Sequence, residues 1–448
     1  MATIMMVIMI GLLLLGFPMM VPLIAGAVVG FVMMFDGFGQ MQTFIQQMMG
    51  GIRPASLIAV PMFILAADIM TRGQSADRLI HMVMAFIGHL KGGLAISTAA
   101  SCTLFGAVSG STQATVVAVG SPLRPKLLKA GYSDPFSLAL IINSSDIAFL
   151  IPPSIGFIIY GVISGTSIAE LFIAGIGPGV MILAMFSIYC VIYAVVRKVP
   201  TEEKAGWRER GVAVREALWP LFFPVIIVGG IYGGIFSPTE AAAVCVLYAF
   251  LLEFVVFRSL KLPDIYRIAK STGLITAVVF ILVAVGNGFS WIISFAQIPQ
   301  AILEGVGISE MGPVGVMITI CIAFFVACMF VDPIVVILVL TPIFAPAIQA
   351  TGLDPVLIGV LITLQVAIGS ATPPFGCDIF TAIAIFKRPY WEVIRGTPPF
   401  VFMLVAAAGL VIAFPQIALF LRDVAFRLSD LERRATCSKG FWWQWTVP

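Results

Sequence analysis

The residues able to do chemistry in this chain cluster at two places where apolar sequence is interrupted. The first holds Ser109-Gly110-Ser111-Thr112 and, further on, Asn143-Ser144-Ser145-Asp146, which leads to Pro152-Pro153. The second holds Phe330-Val331-Asp332-Pro333, followed by Gly369-Ser370-Ala371-Thr372-Pro373-Pro374. Glycine, small hydroxyl residues and paired prolines are poor helix formers. At membrane depth a broken helix is tolerated only where it is buried in protein or lines a cavity. Such a break offers two kinds of chemistry. Half-helix N-termini present free N–H groups and positive dipole to an anion. Unwound carbonyls, with nearby hydroxyls and carboxylates, replace the water around a small hard cation such as Na⁺. Ser109, Gly110, Ser111, Asn143, Ser144 and Ser145 supply such oxygens in one region, and Asp332, Gly369, Ser370 and Thr372 in the other. Asp146 and Asp332 stand out, because an intramembrane carboxylate is costly and marks function by default. Against this, Gly and Ser in membrane helices often serve only close packing, and prolines alone can merely kink a span.

The rest of the chain supplies the helices that must hold these residues. Of 448 residues, 60% are hydrophobic and only 10% charged, against about 25% charged in an ordinary soluble domain. The class is therefore an all-α polytopic membrane protein. At about 20 apolar residues per span there is room for roughly ten to twelve spans plus re-entrant pieces. The net charge of +3 gives no reason to expect nucleic acid. Residues 4–35 read as one first span bent at Pro18 and Pro22, and the missing basic n-region argues against a cleaved signal peptide. A glutamine-rich patch, 37–53, reads as a loop or surface helix, and 54–70 as a second span. Residues 77–91 have the mixed pattern of an interfacial amphipathic helix. A span over 167–196 precedes a polar segment, 197–216, whose basic excess places it in the cytoplasm. Spans at 218–235 and 239–257 follow, then a basic loop, 258–270. Beyond Leu421 comes a basic tail whose final FWWQWTVP suits the membrane interface. The seven cysteines form no CxxC pair and read as buried and inert, so no transition metal is expected.

The strongest organisational signal is an internal repeat. Residues 92–135 lie on 312–355 without a gap: Gly92 meets Gly312, Phe105 meets Phe325, Pro122 meets Pro342, and Asp134-Pro135 meets Asp354-Pro355. One residue further out of step, Pro152-Pro153 meets Pro373-Pro374. Each copy has an apolar run broken at its middle, a proline-marked exit (Pro122, Pro342), and a span broken before a double proline. Arms of about 13 residues reach only about 20 Å at 1.5 Å per residue. That is too short to cross, so each broken run reads as a re-entrant hairpin. Paired interrupted segments in corresponding halves point to a transporter's midplane site. It is the recurrence of hairpin and broken span together that favours a site over simple packing. Arg124 and Lys126 read as marking a loop, and Glu240 as a helix cap. There is no HExxH, GxSxG, P-loop or dinucleotide fingerprint. The chain is not expected to be an enzyme, and transport would be ion-driven or powered by another subunit.

These residues bring the chain close to a known family. VPMFILAADIM at 60–70, FGAVSGSTQATVVAVGSP at 105–122, LIPPSIGFIIYGVISGTSIAELFIAGIGPG at 150–179, GGIFSPTEAAAV at 233–244, and MFVDPIVVILVLTPIFAPA with GLDP and TPPFGCDIF at 329–380 resemble the large membrane subunit of tripartite ATP-independent periplasmic (TRAP) transporters. Two positions depart from the family pattern: Asp146 stands where a small residue is usual, and Cys328 where glycine is common. The resemblance implies an inverted-repeat, elevator-type transporter with two re-entrant hairpins and two broken transmembrane helices, in a bacterial or archaeal cytoplasmic (inner) membrane. It implies sodium-coupled uptake of a small organic acid (a carboxylate, for instance a dicarboxylate). The partners would be a small four-span membrane subunit and a periplasmic solute-binding protein, with Na⁺ as coupling ion and no other cofactor. It also implies cation ligands at Ser109, Gly110, Ser111, Asn143, Ser145 and Pro152, and at Phe330, Asp332, Gly369 and Thr372. Substrate contacts fall to Ser111, Thr112, Ser144, Asp332, Ser370 and Pro373. The expected organisation is scaffold over 1–91, first repeat over 92–196, central scaffold over 197–311, second repeat over 312–396, and a last span with basic tail over 397–448. A stand-alone divalent-anion/sodium symporter is the alternative, and a scaffold or channel a more distant one.

Overall fold

A computed structural model describes residues 1–35, 37, 39–305 and 312–426. Among these the regular structure is entirely helical. Six helices are long and apolar enough to span: Ala55–Arg72, Ile168–Val196, Trp207–Tyr232, Pro238–Val256, Leu262–Phe295 and Pro333–Thr351. A bent pair, Pro398–Ala413 with Gln416–Phe426 at 56°, makes a possible seventh. The longer spans bury one stripe and leave residues such as Val180, Ile188 and Ile192 exposed, a surface that only lipid or a partner helix can cover. The broken helices are different. Asp134–Ser145 is buried from Phe136 onward, and Pro355–Ser370 from Val356 to its end. A helix buried on all sides belongs at the centre of its domain.

The two repeats fold alike. The first hairpin is Gly93–Ser109 and Thr112–Lys129, followed by Asp134–Ser145, one further, tighter helical turn at Asp146–Phe149, and Ile155–Ser164. The second is Pro313–Cys328 and Pro333–Thr351, followed by Pro355–Ser370 and Cys377–Phe386. Both double prolines, Pro152-Pro153 and Pro373-Pro374, have cis peptide bonds. The halves are cross-braced. Thr112–Lys129 packs on Cys377–Phe386, and Pro333–Thr351 packs on Ile155–Ser164, so each outgoing arm leans on the other repeat's post-break helix. The Asp-Pro helix starts are pinned in parallel fashion. Arg124 grips Asp134 through Nε (2.8 Å) and Nη2 (2.7 Å), and Arg422 Nη1 reaches Asp354 Oδ2 at 2.6 Å. Arg124 is therefore a helix residue in a structural ion pair and does not mark a loop.

Several expectations are corrected. The hairpin arms have 17 and 18 residues in the first repeat and 16 and 19 in the second, because the exit prolines do not end them. Pro122, Pro125, Pro342 and Pro346 all lie inside helices. A proline leaves the carbonyl four residues earlier without its donor. For Pro342 that carbonyl is Leu338 O, and Ser290 Oγ supplies the hydrogen bond at 3.3 Å. Residues 4–35 do not make one span. Ala2–Leu14 and Met20–Met34 fold back on each other, Gly26 lying against Met9 and Gly30 against Met5. The reversal uses Gly16 at φ +81° just before Pro18. The polar segment after Val196 becomes helical from Trp207, and the basic loop is already helix from Leu262. Arg210 is drawn inside, its Nε donating to Ala85 O at 3.1 Å.

Other readings hold. Glu240 closes a capping box with Ser237. The glutamine-rich patch forms the helix Met41–Gly51, anchored where Asn287 Nδ2 donates to Gln47 O at 2.7 Å. The amphipathic helix Ser75–Ile87 buries Ala76, Leu79, Ile80 and Val83. The buried Glu253 caps its start, accepting from Gln74 N and Ser75 N at 3.0 and 3.1 Å. The Trp-rich C-terminus and Cys437 lie outside the described residues.

Candidate functional site: two hairpin tips and a shared acidic centre

At the first tip, Gly110 ends its helix at φ +60° and donates to Gly106 O at 2.8 Å. A Cβ here would run into the Pro153 carbonyl, so glycine is required twice over, by backbone angle and by space. Ser111 is the extended N-cap of the outgoing arm, its Oγ facing Ala114 N. Ser109 Oγ sits 3.1 Å from Thr115 Oγ1, which donates to Ser111 O at 2.8 Å. Ile155 N donates to Gly110 O at 3.4 Å, so the tip is fastened to the chain just past the double proline.

The second tip repeats the fastening with different chemistry. Phe375 N donates to Met329 O at 3.1 Å. Asp332 is the N-cap of the outgoing arm, Oδ1 accepting from Ile334 N at 2.9 Å. Gly369 lies against Cys328, with no room for a side chain between them. Thr372 Oγ1 donates to Ile368 O at 2.6 Å. Phe330 is half exposed and its ring meets Phe375 at 6.0 Å.

At the second tip, then, Gly369 meets the end of the incoming arm at Cys328, and Phe375, just past the double proline, is fastened to Met329. For the first tip only the Pro152 end arrives. Asn143, Ser144 and Ser145 lie deeper, because the chain stays helical one turn past them, through Phe149, and unwinds only at Leu150–Ser154. Ser145 Oγ lies 3.8 Å from Cys102 Sγ, eight residues and about 12 Å of helix short of the tip. Ser145 also donates to Ile141 O, and Asn143 Nδ2 to Ala139 O. Asn143 Oδ1 and Ser144 Oγ are buried with no partner among the described residues.

The residue that sequence reasoning missed is Asp378. It is fully buried; Oδ1 accepts from Thr112 Oγ1 at 2.8 Å and Oδ2 from Ser370 Oγ at 2.7 Å. One carboxylate therefore joins the start of the first hairpin's outgoing arm to the end of the second broken helix. Asp146, 1% exposed, faces Asp378, and neither of its own oxygens receives a hydrogen from a described residue. Thr112 and Ser370, both expected at the substrate, are brought together here, whereas Ser144 is not. The signal was available: a lone acid in an apolar run, the rule that marked Asp146 and Asp332, marks Asp378 too. Two buried carboxyls with no ion-pair partner among the described residues must be neutralised by a shared proton or by a cation.

A cavity of about 630 Å³ opens beside the first tip, lined by Ser109, Ser111, Gln113, Thr381, Asp68 and Arg72. Of these only the two tip serines were expected at a site. A second cavity of about 390 Å³ lies along the second hairpin's outgoing arm, with Asn287, Ser290, Trp291 and Leu338 in its wall.

A helical bundle with two interlocked hairpins and two broken helices defines a membrane transporter, and comparison with known proteins says which kind. The profile of the DctM component of the tripartite ATP-independent periplasmic transporter matches residues 6–417. The chain belongs to that family. It is a multi-pass inner-membrane transport subunit and not an enzyme, and a tripartite family sets aside the stand-alone symporter. Among relatives, the ectoine TRAP transporter large permease protein TeaC of Halomonas elongata is 84% identical, over 95% of this chain and all of its own. The ectoine/5-hydroxyectoine large permease UehC of Ruegeria pomeroyi is 72% identical, over 93% of this chain and 98% of its own. The C4-dicarboxylate permease DctM of Pseudomonas aeruginosa is 35% identical, over 82% and 86%. Of solved structures, the YdaH transporter of Alcanivorax borkumensis shares the fold, with a TM-score of 0.52 at 14% identity over 86% of this chain and 90% of that one.

Proposed function

We propose that this chain is the large permease of a TRAP system that takes up ectoine or a close analogue. The observation that carries the reading is the 84% identity to an ectoine permease along 95% of the chain, set against 35% to a C4-dicarboxylate permease. Ectoine is a cyclic amidinium bearing one carboxylate, so the substrate narrows from a generic small organic acid to a zwitterion. The partners are a small membrane subunit and a periplasmic solute-binding protein that delivers the substrate.

Uptake is coupled to Na⁺ and proceeds by an elevator movement of the hairpin-bearing half. Supporting the coupling are the carbonyl-rich tips fastened to their breaks, with Asp332 at the second and hydroxyls at the first. Half-helix N-termini at Ser111 and Asp332 suit the substrate's carboxylate, and the carbonyl ends of the incoming arms before them suit Na⁺. Each Na⁺ entering down 100 mV contributes about 2.3 kcal/mol, so two would sustain a gradient of more than about a thousandfold. The test is uptake of labelled ectoine into proteoliposomes holding both membrane subunits, with the binding protein outside. Saturable uptake that collapses when the sodium gradient is removed is expected. Uptake indifferent to sodium overturns the coupling, and uptake of succinate in place of ectoine overturns the substrate.

A further inference from the structure

The cavity beside the first hairpin tip has a charge pattern that the tip itself does not explain. Its charged side chains are one acid and one base, Asp68 and Arg72, a helical turn apart on Ala59–Arg72. Only one bond joins them, Arg72 Nε to Asp68 Oδ1 at 2.7 Å. Asp68 Oδ2 is buried and has no partner among the described residues. The two Nη groups of Arg72, whose side chain is 41% exposed, meet no protein acceptor among those residues, and an arginine fork has five donors to offer. An ion pair that served only its helix would gain little and would not leave a buried carboxylate oxygen unpaired. The pair presents one free acceptor and one free fork of donors, side by side, to a half-open cavity.

We propose that this cavity holds the transported zwitterion, Arg72 taking its carboxylate through the free Nη fork and Asp68 Oδ2 taking an N–H of its amidinium. The proposal rests on the ectoine reading above. The two charges of such a ligand are neighbours on one small ring, as the two side chains are neighbours on one helix face. A carboxylate on a guanidinium fork is the favoured planar, bidentate match. The remaining polar wall (Ser109, Ser111, Gln113 and Thr381) is neutral and can serve ring N–H groups and any hydroxyl, and Ile64, Ile155 and Ile275 supply the apolar side. A volume of about 630 Å³ falls within the range of small-molecule pockets. The same pair also selects against dicarboxylates. A second carboxylate in place of the amidinium would face Asp68, and like charges brought together there disfavour the wrong ligand. The ligand would bridge the helix Ala59–Arg72 and the first hairpin tip, so its arrival would be felt by the segment that carries Ser109–Ser111.

The test uses the purified complex of both membrane subunits, read by ectoine-dependent thermal stabilisation without the binding protein, and by uptake in proteoliposomes with it. Asp68→Asn and Arg72→Gln should each weaken ectoine binding roughly tenfold or more, with the unliganded melting temperature unchanged. Arg72→Lys should keep part of the binding. The double variant Asp68→Arg/Arg72→Asp rebuilds the ion pair with its charges exchanged, and should remain unable to bind. Recovery of wild-type binding in the exchanged pair would mean that the pair is structural and would overturn the proposal, as would unchanged affinity in the single variants. Succinate in large excess should not displace ectoine, and displacement also counts against it. Wild-type complex that fails to bind or carry ectoine at all is a different result: it removes the substrate reading itself, whatever the variants do.

Discussion

At the first hairpin tip the chain turns on Gly110, which has no side chain, and on the hydroxyls of Ser109, Ser111 and Thr115; at the second it turns through Met329–Asp332, with a carboxylate cap and a phenylalanine. Both tips are fastened by one backbone hydrogen bond to the residues beyond a double proline. The topology is the same, but the way each can fail is not. The first tip depends on an absence, the missing Cβ that lets it touch the Pro153 carbonyl, so almost any substitution there intrudes. The second depends on side chains that can be removed one at a time. The first also borders the cavity with Asp68 and Arg72, whereas Phe330 at the second is half exposed.

That contrast can be broken in graded steps. The largest effect is expected for Gly110→Ala. A left-handed backbone and a blocked Cβ together should cost about 1–3 kcal/mol. Uptake should fall by about a hundredfold, the scale of loss when a site is displaced by about 1 Å. Near-normal uptake of labelled ectoine would mean the first tip is no tighter than the second. Next comes Asp378→Asn, which removes the charge accepting from both Thr112 and Ser370. Uptake should drop at least roughly tenfold, and a double-mutant cycle of Thr112→Val with Ser370→Ala, read by thermal unfolding, should show coupling of about 0.5–3 kcal/mol. Independent effects would show that the acid does not join the repeats. Asp332→Ala removes a cap worth about 1 kcal/mol together with the charge, whereas Asp332→Asn removes only the charge. If the carboxylate holds Na⁺, both should raise the half-saturating sodium concentration. If it only caps the helix, Asn should behave as wild type. Smallest is Phe330→Ala, whose half-exposed ring should cost no more than about 1 kcal/mol and leave uptake within about threefold.

Much of this was legible in the sequence because helix breakers in an apolar chain are conspicuous. The repeat, both tips and both double prolines could be read from residue types alone. What shifted did so by about one helical turn, and for a local reason. Polar residues such as Asn143 and Ser145 can satisfy their own helix through the carbonyl four residues back, so NSSD did not unwind and the break fell at Leu150–Ser154. Internal prolines misled in the same way, because Ser290 repairs the carbonyl that Pro342 leaves open, and Ser290 belongs to a distant helix. Asp68 and Arg72 lie at the end of the stretch that reads as a second span, and only the fold turns them toward the first tip. The N-terminal reversal was hidden because a glycine and a proline between two apolar runs fit either a bend or a turn.

The bond between Thr112 and Asp378 joins residues 266 positions apart. At roughly 5–20 residues per second of synthesis, the first hairpin leaves the ribosome roughly 13–53 s before the acid that will hold it exists. Through that interval Thr112 has no Asp378 to bind, and the surface it shares with Cys377–Phe386 has no cover. The first half of this protein must therefore wait in the membrane with Thr112 unmatched. Its assembly is set by the arrival of the second repeat, so a truncation just before Asp378 should disable a segment that was completed more than two hundred residues earlier.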